Sequence, residues 1–140
     1  MSKAIYDPNE VTVSVGNTPI YGFDNDSMIS IEFDEPSYKK DTDLSGDSVF
    51  FKSHNTDCKI TLKIKQTSPS NDVLSSYVQA NRISNAGIFP VMIKDGNGKT
   101  LITSEAALVE QTPTVEFGGE NKNREWVIIA LRARNFVGGN

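Results

Sequence analysis

The 140-residue chain reads as a mainly β protein, a β-sandwich or partly closed barrel with one short flanking α-helix. Three observations predict this class. Apolar residues alternate with period two along most of the chain, turn residues punctuate the alternating runs, and a single segment changes to three-and-four spacing.

Taken in order, "EVTVSV" (10–15) puts Val11, Val13 and Val15 on one face. "GN" at 16–17 then turns the chain into "TPIYGF". "SMISIEFDE" (27–35) sets Ile29, Ile31 and Phe33 against Ser30, Glu32 and Asp34. "CKITLKIKQ" (58–66) sets Ile60, Leu62 and Ile64 against Lys59, Lys63 and Lys65. Next comes the exception. In "QTSPSNDVLSSYVQANRI", Ser68 suits an N-cap, Pro69 the first helical position and Asp72 the first turn. Val73, Leu74, Tyr77 and Val78 then form a stripe, so the spacing predicts a helix over about 69–81 that packs on the β-structure. "FPVMIKDGNGKTLIT" reads as a hairpin turning at "DGNG" (95–98). "REWVIIALRARNF" (124–136) is apolar on both faces through its centre, as a strand in mid-sheet or one covered on both sides would be. No internal repeat or low-complexity linker divides the chain, and 1–140 reads as one domain.

Between the second and third hydrophobic runs lies a long polar stretch, 36–54. Its "DTDLSGDSVFFK" (41–52) imitates a calcium loop, with Asp41, Asp43 and Ser45 at positions one, three and five and Gly46 at six. Position twelve, where a bidentate glutamate should close the cage, is Lys52, and Pro36, Val49, Phe50 and Phe51 disfavour flanking helices. "DLSG" is better read as a turn, and the segment as a long hairpin loop with no metal site. Adjacent Phe50 and Phe51 point to opposite faces of a strand, so one of them needs cover from elsewhere. With Tyr38 across the loop, they suggest an arm built to lie against another molecule.

Composition narrows the function classes. A chain of this length with 37% hydrophobic residues can bury about two thirds of its unfolded surface. No apolar run approaches the roughly 20 residues of a membrane span, so no membrane insertion is expected. The opening "MSKAIYDPNEVTV" lacks the apolar core of a secretory signal, and "NDS" at 25–27 therefore carries no weight as a glycosylation acceptor. One cysteine, Cys58, excludes an internal disulfide and fits a reducing cytoplasm. Residues 1–47 hold ten acids against three lysines, leaving a mildly positive remainder. That balance is poor for nucleic-acid binding and fits head-to-tail association or an ordinary solvated surface alike. No catalytic constellation stands out. His54, the sole histidine, stands near Ser53 and Cys58 in sequence alone; Asp34 and Glu35 alternate across a strand; the glycine pairs at 118–119 and 138–139 precede no helix. The chain reads as a non-enzyme needing no cofactor.

The runs "LKIKQTSPSNDVLS", "FPVMIKDGNG" and "EFGGENKNREWVI", with "SMISIEFDEPSYKKDTDLSG" before them and "FVGGN" at the close, resemble bacteriophage tail tube proteins across essentially the whole chain. The resemblance implies a structural subunit of the virion tail, assembled in the host cytoplasm. Six copies would form a ring, and rings would stack head-to-tail into a conduit through which DNA passes as cargo. Tape measure, baseplate or tip, and terminator proteins are the implied partners, with a sheath if the tail is contractile. Related tubes occur in type VI secretion systems and tailocins. A long hairpin loop in that family reaches the neighbouring ring, and 36–54 sits in the corresponding place. Tyr38, Lys39, Lys40, Asp41, Asp43, Asp47, Phe50 and Phe51 are its candidate contact residues. Glu32 and Asp34 are candidates for a lumen wall that repels DNA, with Lys59, Lys63 and Lys65 facing the exterior or a neighbour. The alternative class is a monomeric β-domain that binds a small ligand or calcium as an accessory module.

Overall fold

The computed structural model describes residues 5–24 and 28–139, and the "NDS" pattern lies outside them. Among the described residues two separate sheets are formed. The larger is antiparallel and has eight strands. Its path begins with β2 (Thr18–Ile20), β1 (Val11–Val15), β7 (Phe89–Asp95) and β8 (Leu101–Gln111). It continues through β9 (Asn123–Leu131), β6 (Cys58–Lys65) and β3 (Ile29–Phe33), while β10 (Arg134–Phe136) pairs with the first part of β8. The sheet does not close: β2 and β3 are its two edges.

The strands of the large sheet, short β10 apart, send alternate side chains to one core. Val13 and Val15 of β1 share that core with Ile60, Leu62 and Ile64 of β6, Phe89, Val91 and Ile93 of β7, and Trp126 and Ile128 of β9. Strands so far apart in the sheet can share a core only because it coils on itself. Helix α1 (Ser70–Ser84) covers the core, packing against β8 and β2. Leu74 is fully buried, Val73, Tyr77 and Val78 are partly buried against the core, and the Tyr77 and Phe89 rings meet at 4.6 Å. The apolar stripe read from the sequence is the packing face.

The ends of the helix differ from expectation. It starts one residue later, and Ser68 Oγ accepts from the Ser70 amide while donating to the Tyr21 carbonyl at 2.7 Å. Ser70 Oγ accepts in return from the Tyr21 amide. It ends three residues past 81, at Ser84, and is capped by Asn85, whose φ of 56° is left-handed and whose amide bonds back to Ala80 and Asn81. An asparagine replaces the more usual glycine in this stop, so the sequence marks the end weakly.

Strand boundaries hold where the alternation is clean. Gly16 and Asn17 both take positive φ, and the β1–β2 hairpin pairs Val15 with Thr18 across them. The hairpin expected to end near Thr103 instead continues to Gln111. Ser104 Oγ bonds the Ala106 amide and the Leu131 carbonyl, and Glu105 is extruded beside it. The inward set therefore changes phase from Ile102 and Ser104 to Ala107 and Val109, which hides the alternation from a period-two reading. The expected strand 124–136 is interrupted at Arg132, with φ of 49°, and resumes as β10 beside β8.

Candidate functional site: an exposed arm and an open sheet face

Residues 36–54 form a hairpin of their own, β4 (Tyr38–Thr42) with β5 (Ser48–Lys52). All ten strand residues are exposed, and Phe50 is 76% accessible. The hairpin is closed at its base, where the Ser53 amide donates to the Ser37 carbonyl and Ser53 Oγ to Glu35 Oε2. Register sorts the side chains into two faces. Tyr38 lies opposite Lys52 and Lys40 opposite Phe50; on the other face Lys39 lies opposite Phe51 and Asp41 opposite Val49. Phe50 and Phe51 thus point to opposite sides, as their adjacency predicts, and each leaves an apolar surface in water.

The tip explains the calcium-like spacing. Asp43 Oδ1 accepts from the Ser45 amide at 3.0 Å, the Ser45 hydroxyl at 2.8 Å and the Asp47 amide at 3.0 Å. Gly46 supplies the φ of 91° at which the chain reverses. The Ser45 hydroxyl, then the Asp47 amide, hold the Asp43 carboxyl below its ordinary value. Asp and Gly are spaced here to build a turn. Among the described residues the fold gathers no group of three His, Cys, Asp or Glu suited to a metal ion.

The residues weighed for chemistry are not brought into a site. Cys58 is fully buried, and burial, followed by the charges of Asp34 and Asp57, pushes its thiol up. His54 is exposed, and Ser53 is held by Glu35.

Glu32 is exposed on edge strand β3, and Asp34 follows it, donating its amide to the Asp57 carbonyl. The expected segregation of acids from lysines is corrected by the register. Glu32 lies directly opposite Lys59 on β6, so both occupy one face of the sheet. Lys59 also reaches Glu110 at 3.5 Å across that face. A wall containing Glu32 therefore contains Lys59. The sequence showed each strand's polar side but not which polar sides coincide, since that depends on strand order.

The same outer face carries Leu108 and Ile129 in register with Lys59, all uncovered or half-covered. This is the second apolar side of the 124–136 run. It lies mid-sheet as predicted, but only its inner side is covered within the chain.

No family model matches the chain. Structural protein ORF10 of Pseudomonas phage KPP10 is 29% identical over 143 residues, covering 96% of this chain and 83% of that protein. Among solved structures, the sheath/tube terminator of an extracellular contractile injection system aligns with TM-score 0.68 and 16% identity, covering 98% of this chain and 100% of that one. The tube-terminating cap of the anti-feeding prophage gives 0.67 at 14% identity, covering 97% and 93%. A chain of an injection-system sheath–tube complex in the extended state gives 0.65 at 15% identity, covering 94% and 91%. The fold is therefore one found in the tube and tube-terminator assemblies of contractile injection systems. In sequence the chain is similar to a phage structural protein, which agrees with the resemblance to the tail tube family.

Proposed function

We propose that the chain is a non-enzymatic structural subunit of a phage tail tube, located in the virion, in which six copies form a ring and rings stack into a conduit for DNA. The observation that carries this reading is the arm: a hairpin exposed on both faces, with apolar side chains on each, on a fold found in tube assemblies. Such a surface is stabilised by a neighbour. Tube, tape measure, terminator and sheath proteins are the expected partners, and Glu32 and Asp34 remain candidates for the lumen wall, with Lys59 beside them. A terminator or cap subunit is the second reading, favoured by two of the three structural likenesses.

Negative-stain microscopy and sedimentation of the purified protein separate these readings. Stacked tubes support the tube subunit, single rings the terminator, and a 15.4 kDa monomer at high concentration argues against both. Deleting 41–47 should leave a folded domain that stacks poorly. Normal tubes from the deleted protein would remove the arm from the assembly.

A further inference from the structure

The bulge at Glu105 opens a groove of about 850 Å³ on the outer face of the sheet. Pro90, Met92, Glu105, Leu131, Arg132 and Arg134 line it. We propose that this groove receives the arm of a second copy, through the arm face that carries Lys39, Asp41, Val49 and Phe51. The inference rests on the reading of the arm as an inter-subunit contact and names its receiving surface.

Complementarity of charge and apolar surface carries it. The groove offers two arginines and one glutamate among apolar and small polar side chains; the arm face offers one aspartate and one lysine beside Val49 and Phe51. The order also matches. Arg134 and Met92 both pair with Thr103, and Leu131 pairs with Ala106, next to Glu105. Along β8 these rows stand two to three residues apart, about 7–10 Å. On the arm, Asp41 with Val49 and Lys39 with Phe51 form rows two residues apart, about 7 Å. Seated with its tip row over Arg134 and Met92, the arm brings Asp41 to Arg134 and Val49 onto Met92, and its next row sets Lys39 beside Leu131 and Phe51 beside Pro90 and Glu105. The reverse direction would bring Asp41 to Glu105 and Phe51 to Arg134, so charge selects the direction. The groove is itself well fixed, because the Arg132 amide donates to Asp57 Oδ1 at 2.9 Å and Ser104 holds the Leu131 carbonyl.

Charge reversal in the full chain tests the pairing. Asp41→Lys and Arg134→Glu, both at exposed positions, should each lower the sedimentable fraction about tenfold, the scale of a close interfacial charge pair. The combined variant should recover most of it. As an independent measurement, Val49→Cys with Met92→Cys should give a ladder of intermolecular disulfides on oxidation, with buried Cys58 not competing. No recovery in the double variant together with no ladder would overturn the inference. If deletion of 41–47 blocks stacking while Arg134→Glu assembles normally, the groove is wrong and the arm reading stands. If the deletion itself assembles normally, the arm reading falls too.

Discussion

Asn71 joins three elements through one side chain. Its Nδ2 donates to the carbonyls of Lys65 and Ser68, both at 3.0 Å, and its Oδ1 accepts from Trp126 Nε1 at 2.9 Å. Nothing in "SPSNDVL" marks this asparagine for Trp126, because that partner lies 55 residues away on β9. Asn71→Ala leaves a buried indole N–H without a partner and should cost about 1–3 kcal/mol, read as a lower urea midpoint with m unchanged. Asp43 was legible by contrast, since its partners are two to four residues away. Its pKa is depressed by bonds made only in the formed turn, so the order it confers is present above the ordinary value of 3.8 and is lost as pH falls through the lower folded value. An NMR titration should find the Asp43 carboxyl midpoint below 3.8, with the Ser45 and Asp47 amide shifts moving in step. A midpoint at or above 3.8 would contradict the turn geometry.

At the scale of elements, helix α1 shows how a local pattern becomes a tertiary contact. Its stripe is short and its polar face broad, so the isolated segment would be marginal in water, and packing on the sheet stabilises it. Leu74, with no accessible surface, is the centre of that contact. Leu74→Ala should cost about 2–5 kcal/mol and impair folding ahead of assembly. Folded monomers that only fail to form rings would instead place the stripe at a subunit interface. Thermal unfolding and sedimentation of the same preparation decide between the two. Strand β8 is the counter-case: a single extruded residue shifts its alternation, and its second half reads as an unpatterned Ala- and Glu-containing run.

Over the whole molecule, Asp7 and Gly138 both converge on the β7–β8 turn. Asn97 accepts the Asp7 amide at 3.1 Å and donates to the Asp7 carbonyl at 2.8 Å. Thr100 Oγ1 donates to the Gly138 carbonyl and accepts the Gly138 amide, each at 3.0 Å. "DGNG" is thus a turn and also the place where Asp7 is tied to Asn97, 90 positions along the chain. Asn97→Ala should raise hydrogen exchange at the Asp7 amide and cost about 1 kcal/mol, while leaving protection of the β6–β9 core amides unchanged. Unaltered exchange at Asp7 would show that the two bonds do not hold the segment.

What the sequence determined by itself was everything governed by short range: the period-two strands, the "GN" and "DLSG" turns, the one helical stripe, and the opposed orientation of Phe50 and Phe51. Each depends on backbone conformation and on neighbours a few residues away. Only the tertiary structure decided that Glu32 and Lys59 share a face, that Asn71 meets Trp126, and that Met92, Glu105, Leu131 and Arg134 line one groove. Those facts follow from strand order and register across the sheet, where residues far apart in sequence become neighbours about 5 Å apart, and a period of two in one strand carries no record of which strand lies beside it.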